Sequence, residues 1–245
     1  MIKHTKRYGC KPDKKDSRDM LYHESQHDKM VFMPPSVLLT DKLPACWDQG
    51  ELGSCTGHGC GAAMLFIHEG SSPSSRLMIY YDGREIEGTT AEDDGAQIRD
   101  VVAGLARKGA CNEDLWPYDI TQFAVQPPDA AYAAAGSNKI TNYFRCTDLM
   151  SVKNSLAQGF PVIIGFTVYS GFEAPDVAST GIAKMPGSFE RVVGGHCVLV
   201  IGYDDSKNAV FVRNSWGTAW GLSGNFWMPY DYFKNLVSDM WTLRA

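Results

Sequence analysis

One stretch, DQGELGSCTGHGCGAAMLFIHEG from Asp48 to Gly70, constrains the fold more than any other. Residues Ala62 to Ile67 are apolar on every face, and a helix tolerates that only when protein surrounds it. Gly57, Gly59 and Gly61 each cost a helix about 1 kcal/mol relative to Ala, so their presence predicts backbone packed closely against neighbours. The stretch reads as a buried central helix that ends near Gly70 and begins at Cys55, after a Gly-rich loop carrying Gln49. A helix N-terminus offers unsatisfied N–H groups and partial positive charge, which favour a thiolate over a thiol. Cys55 is therefore a candidate nucleophile, although the stretch alone fits a structural cysteine equally well.

The rest of the chain must bury this helix, and 245 residues are enough for one large domain or two lobes sharing a cleft. Residues 1–40 hold Pro12, Pro34 and Pro35 and little apolar periodicity, so they read as an extended N-terminal arm. Its basic residues alternate with Asp13, Asp16 and Asp19, which predicts a solvated arm. Tyr8, Met20, Leu21, Tyr22, Val31 and Phe32 could dock it on a surface. After the central helix, Leu77, Tyr80, Tyr81 and Ile86 predict a second helix. Ile98, Val101, Val102 and Leu105 predict a third, stopped by Gly109. An Ala-rich piece after Pro128 suits a short helix or a loop. Residues of about 46–138 form a helical lobe in this reading.

From about residue 139 the pattern changes to a β lobe that runs to residue 245. A short helix carrying Leu149, Val152 and Leu156 ends at Gly159. PVIIGFTVY, CVLVIGYDD and AVFVRNSW then read as strands, the last two joined by a hairpin turn at DDSKN. The fold class is α+β: a helical lobe, an antiparallel β lobe and a cleft between them.

A net charge of −5 argues against a nucleic-acid surface, and no apolar run approaches the length that spans a membrane. The start of the chain lacks a signal-type hydrophobic stretch, so the expected location is cytoplasmic. Seven cysteines at irregular spacing do not form a disulfide framework. Cys55, His58 and Cys60 fall short of a four-ligand zinc set. No metal or cofactor is implied.

A cysteine nucleophile needs a histidine within reach. His4, His23 and His27 lie in the arm, His68 at the far end of the central helix, and His58 on its next turn, where packing or solvent contact is the expectation. His196 opens a strand in VGGHCVLVIGYDD, preceded by Gly194 and Gly195, which allow close backbone approach. Asn214, in VRNSWGTAWG at the end of the next strand, could accept the second imidazole N–H and fix the ring, with Trp216 shielding the bond.

These motifs, in this order, resemble the papain-like cysteine peptidases over most of the chain from about Pro34. That family places His and Asn roughly 130 to 150 residues after the nucleophile; His196 falls inside the span and Asn214 just beyond it. The resemblance implies Cys55 as nucleophile, Gln49 as oxyanion donor, His196 as acid and base, and Asn214 as its orienter. It places Gly53, Ser54, Gly95, Gly195 and Trp216 along the substrate, with an extended peptide added as a strand at Gly95. The partner is a peptide or protein substrate, with the chain's own arm as a second candidate occupant of the cleft. A silent peptide-binding relative and a transpeptidase are the alternative functions. Two positions depart from the family pattern: Leu52 replaces a disulfide-forming cysteine, and Thr56 an aromatic. Cys197, following the histidine, reads as a small apolar filler. The LGSCT form is closer to the bacterial and viral branch.

Overall fold

The computed structural model describes residues 7–22, 32–69 and 72–245. Val31, His4, His23, His27 and Gly70 lie outside them. Helix α1 (Cys55–Ile67) is buried at every residue but its last. Its glycines explain how. A Cβ on Gly57 would come 2.5 Å from the Arg76 carbonyl oxygen, and one on Gly59 would come 3.0 Å from Cys197 Sγ. Glycine here trades helix propensity for close approach on two opposite sides.

Helices α2 (Arg76–Glu87) and α3 (Ile98–Arg107) complete the helical lobe. Ser75 caps α2 by accepting the Met78 N–H at 3.1 Å, and Gly88 ends it in the left-handed conformation. The Ala-rich piece is a helix, α4 (Asp129–Ala135).

The β lobe is a seven-stranded sheet. Its path runs β4 (Asn142–Arg145), β9 (Val237–Arg244), β5 (Val162–Tyr169), β6 (Val192–Asp204), β7 (Ala209–Arg213) and β8 (Asn225–Pro229). All of these pairings are antiparallel. The sheet also takes in β2 (Ser36–Leu38), which pairs with the end of β6 beyond its contact with β5. Helix α5 (Leu149–Ala157) starts with a capping box at Asp148 and Ser151.

Strand alternation divides the interior in two. Cys197, Leu199 and Ile201 of β6 pack with α1, α2 and α3. Val198, Val200 and Tyr203 pack on the opposite side with Phe166, Phe226 and Tyr232. His196 and Cys197, adjacent on one strand, therefore face different environments, and Cys197 is a core filler against the central helix.

Part of the arm docks on the β lobe. Leu21 bridges to Arg145 of β4, and Tyr22 is buried with its hydroxyl donating to Asn154 Oδ1 at 2.6 Å. The Asp13 side chain has no exposed surface, contrary to the expectation of a solvated arm. Arg145, Arg99 and Trp241, all distant in sequence, surround it.

Candidate active site

Cys55 opens α1 as expected and is fully buried. Burial pushes its thiol pKa up, and the nearby Cys10 thiol adds to the effect; the backbone N–H groups of Cys197, Gly9 and Thr56 act in the other direction by favouring the anion. The N–H of Cys197 brings β6, and with it His196, to the sulfur. The side chain of Thr56 is buried as well.

His196 is buried, and its Nε2 lies 2.8 Å from Asn214 Oδ1. An amide oxygen only accepts, so Nε2 carries the proton in this pair and Nδ1 is the ring's basic nitrogen. Trp216 stacks on the imidazole with centroids 5.1 Å apart and planes 26° apart, while Phe166 approaches edge-on at 5.8 Å. These rings cover the bond from water. Asn214 Oδ1 also accepts the Ser215 N–H at 2.8 Å, which fixes the amide's orientation.

Gln49 is wholly buried. Its Oε1 accepts from Ser215 Oγ at 2.6 Å, so its Nε2 is aimed at the Leu52 carbonyl at 2.9 Å and the Arg7 carbonyl at 3.1 Å. Ser215 thus holds both the glutamine and, through its backbone, the asparagine. Sequence reasoning passed over it as one letter of NSWG.

His58 is excluded as a base by its own bonds. Its Nδ1 donates to the Ser54 carbonyl at 3.1 Å, and its Nε2 accepts from Arg76 Nη1 at 3.1 Å. Burial first, and the Arg76 charge second, hold its pKa down to about 3. The Arg76 guanidinium lies between the Trp47 and Tyr118 rings, 4.6 Å from each centroid, and pairs with Glu113. Ser54, expected along the substrate, is buried with its hydroxyl 2.5 Å from Tyr118 OH; that hydroxyl also donates to the Gln49 carbonyl at 2.9 Å. Ser54 therefore braces the loop from within.

Where the family's staple cysteine is missing at Leu52, a carboxylate ties the loop instead. Asp93 accepts the Gly53 N–H on both oxygens at 3.1 Å and the Tyr80 hydroxyl at 2.6 Å. Tyr80 OH in turn accepts the Gly95 N–H at 3.1 Å. Gly53 and Gly95 are thereby locked on one wall.

The arm crosses this wall. Strand β1 (Cys10–Lys11) pairs in parallel with β3 (Ala96–Gln97), and the Ala96 N–H donates to the Gly9 carbonyl at 2.8 Å. A Cβ on Gly9 would overlap the Gly53 carbonyl, and one on Gly195 would overlap the Cys10 carbonyl. The Tyr8 ring meets His196 at 5.7 Å and Trp216 at 6.1 Å, and its hydroxyl donates to Glu173 at 2.6 Å. Among the described residues no group of three His, Cys, Asp or Glu side chains could hold a metal ion, and no helix is long and apolar enough to cross a membrane. The seven cysteines are all unpaired.

Residues 41–238 match the sequence profile described as papain family cysteine protease. An uncharacterized peptidase C1-like protein of Acanthamoeba polyphaga mimivirus is 39% identical over 213 residues, covering 80% of this chain and 68% of its own length. A cathepsin B-like protein of Giardia intestinalis is 26% identical, over 75% of this chain and 64% of its own. Among solved structures, xylellain, a cysteine protease from Xylella fastidiosa, superposes with a TM-score of 0.88 at 37% identity, covering 98% of this chain and 96% of its own. Procathepsin L 3 of Tenebrio molitor shares the fold, with a TM-score of 0.71 at 20% identity.

Proposed function

Because the chain belongs to the papain family of cysteine proteases, and so is a cysteine peptidase acting on peptide or protein substrates, we propose that Cys55, His196, Asn214 and Gln49 carry its chemistry. The observation that supports this most is how Gln49 is used: its amide, aimed by Ser215, donates to a peptide carbonyl lying in the cleft, that of Arg7. A substrate carbonyl in that position would meet the same donor.

In the reaction, His196 Nδ1 takes the Cys55 proton, and the thiolate at the start of α1 attacks the carbonyl carbon. The negative charge that develops on the oxygen is met by Gln49 Nε2 and the Cys55 backbone N–H. Losing one such donor raises the barrier by about 2.7 to 4 kcal/mol. His196 then protonates the leaving amine, and the resulting thioester is hydrolysed by water that His196 activates. Asn214 keeps the proton on Nε2 throughout. Cys55→Ala is expected to abolish hydrolysis of a generic casein substrate while changing the unfolding free energy by no more than about 1 kcal/mol; retained hydrolysis overturns the assignment.

The arm is the site's own occupant in this proposal. Residues 7–11 sit where a peptide would bind, and three features support a masking role: the Arg7 carbonyl on Gln49, the Tyr8 ring over His196, and the strand pairing at Ala96. Substrate entry then requires the arm to leave. Seven unpaired cysteines suit a reducing, cytoplasmic setting.

A further inference from the structure

Three thiols lie beneath the cleft, and the arm brings a fourth to them. Cys55, Cys60 and Cys197 are each at most 1% exposed and share one core cluster with Cys10, which at 9% is the most accessible of the four. The reaction uses only Cys55. Glycines seat Cys10 and Cys197 together. Gly165 of β5 stands directly opposite Cys197 of β6, and side chains at opposed positions share one face with Cβ atoms about 4.5 to 5.5 Å apart. Gly165 has no side chain, and the Cys10 sulfur takes its place: a Cβ there would come 3.0 Å from Cys10 Sγ. The Cys10 carbonyl lies over Gly195, two residues before Cys197. Cys197 Sγ fills the space that Gly59 leaves on α1, and the Cys10 and Cys197 thiols are within hydrogen-bonding reach of each other.

We infer that Cys10 and Cys197 are an oxidant-sensitive pair, which closes to a disulfide between the arm and β6 and pins the arm over the nucleophile. Cys10 follows Gly9, whose backbone N–H reaches the Cys55 sulfur, and Cys197 follows His196. The bond therefore fastens the arm one residue away from its contact with the catalytic pair. The oxidant is a small peroxide, with hydrogen peroxide the simplest. Cys10 reacts first because it is the more exposed; burial, and then the Cys10 neighbour, keep the Cys197 thiol protonated. The Cys10 sulfur attacks one peroxide oxygen, the O–O bond breaks, and the other oxygen leaves as water, so that Cys10 becomes a sulfenic acid. The Cys197 sulfur then attacks Cys10 Sγ and expels that hydroxyl, which takes the Cys197 proton and leaves as a second water. One S–S bond has formed, the two thiols have given up two electrons, and the peroxide has been reduced to water. A dithiol reductant reverses the bond. Oxidation in this way seals Cys55, whereas a catalytic thiol left open climbs to sulfinic and sulfonic acids that ordinary reductants do not reverse.

This pairing rests on the arm as the occupant of the cleft, so the bond and the mask are read separately. Full-length Cys55→Ala is treated with hydrogen peroxide, quenched with catalase, capped with N-ethylmaleimide under denaturing conditions and mapped by non-reducing mass spectrometry. The expected product is a Cys10–Cys197 cross-link that dithiothreitol removes. No cross-link, or one joining either cysteine to a different partner, overturns the inference; masking itself is decided on the reduced chain, by whether Gly9→Ala changes Cys55 labelling. The unsubstituted chain is then given peroxide and dithiothreitol in turn before Cys55 alkylation by iodoacetamide is measured. Alkylatable Cys55 should survive about fivefold better than in Cys10→Ala or Cys197→Ala, where the arm can lift and peroxide reaches the thiol. Cys197→Ala leaves the arm's sequence intact, which separates loss of the bond from a change in the arm. Equal survival in all three chains overturns the inference.

Discussion

Between Arg7 and Lys11 the arm is held through its backbone, with carbonyls on Gln49 and Ala96 and a strand pair with β3, and by single side-chain contacts of Arg7 with Asp93, Tyr8 with Glu173 and Lys11 with Glu87. Between Asp13 and Tyr22 it is held by side chains. Asp13 is buried against the Trp241 indole N–H at 2.7 Å and the Arg99 backbone N–H at 3.0 Å, with Arg145 Nη1 3.5 Å away. Asp16 and Asp19 pair with the Arg99 side chain, and Arg145 Nη2 reaches Asp239 at 2.7 Å. The backbone contacts of the first half are what any extended peptide could reproduce; the buried charge cluster of the second half is specific to this segment. The cleft half is built to be exchanged, and the clamp half to stay.

Four measurements can break or sharpen that contrast. The largest effect is expected from Arg145→Leu, which leaves Asp13 and Asp239 buried without their shared cation. Losing one partner of a buried charge cluster costs about 3 to 5 kcal/mol, so the urea midpoint should fall accordingly; a loss below about 1 kcal/mol would show that the clamp does not anchor the arm. Gly9→Ala comes next. Its Cβ cannot coexist with the Gly53 carbonyl, so the cleft half should lift while the clamp holds. Alkylation of Cys55 by iodoacetamide and peptide hydrolysis should both rise about tenfold, equivalent to about 1.4 kcal/mol, with little change in stability. Unchanged labelling would mean that the arm does not limit access.

A smaller effect is expected from pH. Burial, and then the neighbouring Asp239 charge, push the Asp13 carboxyl up to about 7. The folded state therefore holds a proton that the unfolded chain releases near pH 4, so the clamp's contribution is complete at low pH and declines as pH rises toward about 7. Denaturation curves should show this decline, and Asp239→Asn should flatten it; equal slopes would remove the pair from the account. The smallest change belongs to Tyr8→Phe. It deletes one hydrogen bond, to Glu173, in an exposed setting, and should alter Cys55 labelling by about twofold, in keeping with roughly 0.5 kcal/mol for such a bond.

What could be read from the sequence follows from which interactions are local. Helix α1 was legible because its apolar character and its glycines are continuous in the chain, and β5, β6 and β7 because their apolar runs are uninterrupted. Strands β8 and β9 were not. NFWMP is short, and in β9 the pattern is broken by Asp239, a buried charge whose reason lies in the arm. His196 and Asn214 could be found because their motifs place the first on a strand and the second just past the end of the next one. Ser215 and Asp93 could not, since a serine becomes a brace and an aspartate a loop tie only when folding brings Gln49 and Gly53 to them. The same blindness made Asp13 look solvated.

The clamp also fixes an order of events. Asp13 and its partner Asp239 are separated by 226 positions, so the Asp239 side of the dock is completed only when nearly all the intervening chain has been synthesised and folded, while the Arg99 side is made much earlier. Closing so long a loop adds little to the entropic cost, but it cannot occur before β9 joins the sheet. The nucleophile, the histidine and the asparagine are all translated before the arm's anchor is complete. During synthesis on the ribosome, the arm's hold over the emerging cleft stays incomplete until that strand is laid down.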